Sequence, residues 1–158
     1  MQHELYPHGV VTLWQRRLGW LAAASLVCVL AWAGTHLTVR DGSGTAIGRI
    51  DDDGVVRDRS GTSVGRIEVP GAVRSRSGSS IGRVDADGTI RGSSGSAIGR
   101  VDDNGTLRDR SGVSIGRLDG CTVRNRSGSS TGRFDDCGAG DRLTMAAYVF
   151  FFEHLHER

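Results

Sequence analysis

The chain has 158 residues, with 20 basic and 18 acidic side chains and a formal net charge of +2. That length suits one domain with appendages. Arg and Asp alternate at short range, which excludes the uncompensated basic face of a nucleic-acid binder. The 24 glycines follow no period of three, which excludes collagen.

Residues 1–17 are of mixed polarity and close on Arg16 and Arg17. Residues 18–34 carry no charge, and an anchor spanning 18–37 has about the 20 residues a bilayer core requires. Trp14 and Trp20 at one end and Trp32 at the other suit the two membrane interfaces. A cleaved signal peptide is the competing reading, because Ala31-Trp32-Ala33 fits the small-x-small cleavage pattern. A buried core helix is disfavoured, since the segment is apolar on every side. In both favoured readings the two arginines hold the N-terminus in the cytoplasm and send the rest across the membrane. The anchor is preferred and gives a single-pass cell-membrane protein. Cleavage after Ala33 gives a secreted or periplasmic one. Cys28 makes a poor lipidation site, because Ser25-Leu26-Val27 does not form a lipobox.

Residues 39–142 hold six near-copies of one unit. The dipeptide Gly-Arg recurs at Gly48, Gly65, Gly82, Gly99, Gly116 and Gly132, in steps of 17 and finally 16. Ser-Gly keeps the same beat from Ser43 to Ser127. Such regularity fixes the architecture before any single residue is weighed. Each unit has two turn signals, Ser43-Gly44 and Asp53-Gly54 in the first copy, where glycine accepts positive φ without strain. Only about 5–6 residues lie between them, which suits a strand and is too short for a helix. The unit is therefore a β-hairpin, and the chain predicts six.

A lone hairpin cannot bury its apolar face, but six side by side can. Ile50, Ile67, Val84, Val101, Leu118 and Phe134 form one row of equivalent residues. Val39, Val56, Val73, Ile90, Leu107 and Val123 form another. A third is Ile47, Val64, Ile81, Ile98 and Ile115, with Thr131 the exception. Such rows suit the inside of a closed barrel or funnel, and closure removes exposed edge strands. An open solenoid has the same kind of period, but the near-identity of first and last copies argues against it. Ile47 and Ile50 are three apart and point to opposite faces of a regular strand. Gly48 is read as a bulge that turns both toward one core. The rival is that one row packs against a cap or lipid.

Residues 143–158 form a tail whose apolar part, Leu143–Phe152, is apolar on both faces as helix or strand. It is too short to span a bilayer and must be buried. The preferred place is the end or channel of the barrel, with Tyr148, Phe150, Phe151 and Phe152 as a candidate plug. Contact with membrane or with another copy is the alternative. His154 and His156 read as solvated residues.

The repeated unit, the preceding apolar segment and the aromatic tail resemble the β-flower proteins, short hairpin repeats closed into a shallow barrel with an apolar central channel. The resemblance implies an envelope protein, brings no catalytic residues, and sets six petals here against named forms with four or five. The family fold is likened to a Tubby-type membrane-binding domain, which makes lipid contact a candidate.

Cys121 and Cys137 are one repeat length apart and form the candidate disulfide. Arg49, Arg66, Arg83, Arg100, Arg117 and Arg133 form a candidate ring for anionic headgroups. The favoured alternative pairs each with the acidic residue two positions on. Asp51-Asp52-Asp53-Gly54 resembles part of a calcium loop but reads as a turn. No histidine lies between Thr38 and Arg142, and six equal copies make no distinctive catalytic cluster. No enzyme activity, cofactor or metal is expected. The leading function is a structural or interaction-mediating envelope module. The second is a binder of lipid or a small apolar ligand in the channel, against which a filled lumen would count.

Overall fold

A computed structural model describes residues 36–153. The anchor and signal-peptide readings of the N-terminal segment rest on residues outside the described ones, as do the reading of Cys28 and those of His154 and His156.

The twelve strands are β1 (Leu37–Asp41), β2 (Ala46–Ile50), β3 (Val55–Asp58), β4 (Ser63–Ile67), β5 (Gly71–Ser75), β6 (Ser80–Val84), β7 (Thr89–Gly92), β8 (Ala97–Val101), β9 (Thr106–Asp109), β10 (Ser114–Asp119), β11 (Thr122–Asn125) and β12 (Ser130–Asp135). A single 3-10 turn, Ala139–Asp141, leads into helix α1 (Arg142–Phe151). Every strand pairs antiparallel with its sequence neighbour, and β1 closes on β12. Val39 faces Phe134 and Thr38 faces Asp135 across that seam. The repeats therefore form a closed barrel, and the solenoid alternative is excluded. The barrel begins at Leu37, which is buried, so the end of the predicted apolar segment is already wall.

Alternate turns lie at opposite ends of the barrel. At the end formed by the Ser-Gly turns, Asp41 illustrates the local chemistry. Its carboxylate accepts the N–H groups of Ser43 and Thr45, both at 2.9 Å. Gly44 takes φ +86°, which only glycine adopts without strain. At the other end Gly54 has φ +82° and sits so close to the Ile67 carbonyl that no Cβ would fit.

Each hairpin, or petal, carries one bulge. Val39 faces Gly48 while Arg40 faces Ala46, so Ile47 has no residue opposite it. The same slip recurs at Val64, Ile81, Ile98, Ile115 and Thr131. The extra residue is thus one position before the expected Gly48. Gly48 itself stays in the ladder and faces inward. The bulge carries Ile47, Val64, Ile81 and Ile98 to the rim, where they are half-buried against the core. The other two apolar rows are buried throughout and pair across strands, Ile50 with Val56 and Val101 with Leu107.

Helix α1 runs through the barrel. Arg142 donates to Asp103 at the Asp-Gly end, and Glu153 lines a cavity with Asp41 and Arg59 at the Ser-Gly end. Ten residues of helix rise about 15 Å, close to the ~17 Å of a five-residue strand. The tail is a helix because no strand is left for it to pair with. Buried backbone must then satisfy itself. Asp141 accepts the Gly138 N–H at 2.7 Å, an acidic residue well placed at a helix N-terminus.

All six glycines of the row lie against a carbonyl of the neighbouring strand, and three of them also make room for this helix. A methyl group on Gly65 would come within 2.6 Å of the Phe152 ring. One on Gly82 would meet Phe151 at 2.6 Å, and one on Gly99 would meet Phe150 at 2.6 Å. Tyr148 lies over Gly48. Tyr148 and Phe152 are buried and Phe150 and Phe151 are half-buried. Tyr148 meets Phe134 edge-on at 5.6 Å and stacks on Phe152 at 6.1 Å. Burying Phe152 contributes about 1.5–3 kcal/mol.

Outside, charges join the petals. Asp102 accepts from Arg100 at 2.8 Å and from Arg108, on the next strand, at 2.7 Å. Asp51, Asp85, Asp119 and Asp135 do the same with their own pairs, and Arg40 reaches Asp135 across the closing seam at 2.6 Å. The second arginine of each clamp also donates to a turn carbonyl, as Arg40 does to Gly44 at 2.9 Å. Glu68 departs from the pattern. It lies 3.7 Å from Arg74, and Arg66 turns instead to Asp53 at 3.0 Å.

The glycine seats are tested by Gly99→Ala, which overpacks against Phe150 and the Arg108 carbonyl and should cost about 1–3 kcal/mol in urea denaturation. Adding Phe150→Leu should cost less than the sum of the two single changes. The clamps are tested by acid. The hydrogen bonds from Arg91 and then Arg83 hold the Asp85 carboxyl below its ordinary value of 3.8. Those from Arg108 to Asp102 and from Arg40 to Asp135 act likewise. A carboxyl with a depressed folded pKa stabilises fully above its unfolded pKa and loses that contribution as pH falls through the folded one. Thermal melting should be flat down to about pH 5 and fall below about pH 4, with a smaller fall in Asp85→Asn.

Candidate functional site

Cys121, after β10, and Cys137, between β12 and the 3-10 turn, are disulfide-bonded with Cα atoms 5.8 Å apart. The bridge ties the segment that leads into α1 to the turn that joins petals five and six. It closes a loop of about 15 residues, a constraint on the order of 3 kcal/mol.

The six arginines Arg49, Arg66, Arg83, Arg100, Arg117 and Arg133 stand around the outer wall, with side chains 41–60 % exposed. Each has a carboxylate partner. For all but Arg66 it is the acidic residue two positions on. In the acidic turns Asp51–Gly54 and Asp102–Gly105, Asp51, Asp53 and Asp102 pair with these arginines, Asp103 pairs with Arg142, and Asp53 and Asn104 also accept from their own backbone. Among the described residues no cluster of three or more His, Cys, Asp or Glu is placed to hold a metal.

Phe150, Phe151 and Phe152 set one ring each on the glycines of petals four, three and two, and Tyr148 brings its hydroxyl to Gly48 in petal one. Gly116 and Gly132, in petals five and six, have no ring over them. This breaks the symmetry of an otherwise repetitive wall. Ile115 is 39 % exposed and Val113 47 % exposed, the large apolar residues left open to solvent among those described. Thr131, standing where five copies carry Ile or Val, is exposed and donates to the Val123 carbonyl at 3.4 Å.

A cavity of about 240 Å³ lies where the pattern fails, between α1 and strands β1, β2, β11 and β12. Val39, Val123, Phe134 and Val149 line its apolar part, and Arg59 and Glu153 stand at its mouth. Burial, and secondarily the Glu153 carboxylate, push the Tyr148 phenol well above its ordinary range, so it faces the cavity as a neutral hydroxyl. The Arg59 guanidinium makes no hydrogen bond or ion pair with another described residue. Sequence reasoning marked Thr131 as the exception in its row, but the cavity also depends on which petals the helix faces.

No curated protein and no solved structure matches the chain. A family model does, over residues 36–153, the stretch that forms the barrel and its internal helix. The chain belongs to the family described as 5-fold beta-flower protein, and it closes that fold with six petals.

Proposed function

We propose that the chain is a non-enzymatic module of the cell envelope, a closed ring held at a membrane or exported across it, with a structural or interaction-mediating role. One observation carries the reading: α1 occupies the axis on which the six petals converge. The equivalent residues of the repeat meet a side-chain plug and not a chamber. The charges of the wall are engaged with one another, and no single petal gathers a distinctive polar cluster of the kind an active site needs. The disulfide suits an oxidising compartment. The uncharged residues 18–34 after Arg16-Arg17 suit an anchor or export signal. Among the described residues no helix is long and apolar enough to cross a membrane, so the anchor reading rests on that segment.

A lipid or small apolar ligand filling the central channel is a weaker reading, because α1 already lies there. The side cavity beside Thr131 is what remains of it.

Fractionation and intact-mass measurement of the protein from its native cells test the envelope reading. The full 158-residue chain is expected in the membrane fraction, with residues 36–153 digested by protease added outside intact cells. A mature protein lacking residues 1–33 would replace the anchor with secretion. Full-length protein in the soluble cytoplasm, shielded from protease, would overturn both.

A further inference from the structure

We propose that the cavity between α1 and petals six and one is a binding site for a small amphipathic monocarboxylate, a short acyl or aryl chain ending in one anionic group. The inference goes beyond the structural reading and does not depend on it.

The site exists because two independent features coincide. The helix supplies no aromatic ring to Gly132, which lines the cavity, so the space over petal six is left open. Thr131 then removes the branched apolar side chain that the other five copies place at the rim. Either change alone would leave a smaller recess. Together they open a pocket with a floor of Val39, Val123, Phe134 and Val149.

Size limits the occupant. At about 240 Å³ the cavity is smaller than the ~300–1,000 Å³ of sites for drug-sized ligands. A two-chain phospholipid is too large, while a six-carbon chain with its head at the mouth fits.

Charge selects the head. Arg40, Arg59 and Arg133 line the cavity with the carboxylates of Asp41 and Glu153, and Asp135 behind the wall brings the charges into balance, so the arginine without a bonded carboxylate decides the preference. Arg40 and Arg133 are both engaged by Asp135. The Asp41 carboxylate is engaged by its own turn, at Ser43 and Thr45. Arg59 keeps its guanidinium for an incoming anion, and a planar fork of donors suits a carboxylate. The Tyr148 hydroxyl, held neutral, adds a polar group inside the apolar lining.

The repeat itself provides the test. Thr131→Ile restores the residue type of the other petals and fills the pocket without disturbing the wall. Arg59→Gln removes the cation at an exposed turn. The full-length chain, methyl-labelled and held in lipid nanodiscs, is titrated with hexanoate and with neutral hexanol. Saturable shifts of the Val123 and Val149 methyl signals are expected with hexanoate. In Arg59→Gln hexanoate should bind about tenfold more weakly, the loss of one charge-assisted contact, with hexanol unchanged. In Thr131→Ile both responses should vanish while the thermal melting temperature holds. The proposal is overturned if hexanoate gives no saturable shift, if Thr131→Ile leaves the response intact, or if hexanol binds the unmodified protein as tightly as hexanoate. None of these outcomes bears on whether the protein resides in the envelope.

Discussion

The width of the ring is the constraint from which the rest follows. A barrel of about eight strands can be filled by side chains from its own wall, and wider barrels hold a channel or a plug. This one has twelve strands, and the residues facing inward are mostly Val, Ile and Gly. Their side chains cannot meet across the axis, so the fold needs material from outside the repeat. The chain supplies it as α1, whose Met145, Ala146, Ala147 and Tyr148 are all buried. The glycine row is the counterpart of that solution. A wall that carried Cβ atoms at Gly65, Gly82 and Gly99 would force Phe150, Phe151 and Phe152 away.

The outer surface solves a different problem. Short strands give each pair of petals few ladder hydrogen bonds, and the seams between petals need reinforcement. An Asp that takes one arginine from its own strand and one from the next spans such a seam. A single exposed pair adds little. The clamps differ in that each guanidinium of the second row also holds a turn carbonyl, so one side chain fixes the strand, the seam and the loop together. Glu68 shows how far the geometry depends on side-chain length. With one more methylene it lies 3.7 Å from Arg74, and Arg66 seeks Asp53.

Much of this was legible in the residues. The 17-residue beat gave hairpins, and the rows headed by Ile50 and Val39 gave the core. Period and pattern carry that information because every copy reports the same environment. The bulge was legible as a need, since Ile47 and Ile50 could not otherwise share a core, but its place was read one residue late. Gly48 looked like a defect in a strand. It lies against the Arg57 carbonyl of the next strand, and its equivalents Gly65, Gly82 and Gly99 are also seats for aromatic rings, which shows only when the helix is in view. The state of residues 142–151 was not legible either, because an all-round apolar segment serves equally as helix or strand. The absence of a free edge inside a closed ring decided it. Thr131 stood out as an exception in the sequence. Its consequence required knowing that the phenylalanine rings of α1 point to petals two to four.

The pairing of Val39 with Phe134 joins positions from opposite ends of the barrel-forming chain. Petals emerging in order during synthesis can each form a hairpin at once, yet none can complete the circle until β12 has appeared, and the helix that fills it comes later still. The nascent protein therefore carries open strand edges and an empty centre for most of its translation. Any truncation before the last petal leaves a sheet with nothing to seal it, so the shortest chain able to hold this shape is nearly the whole of the repeat region.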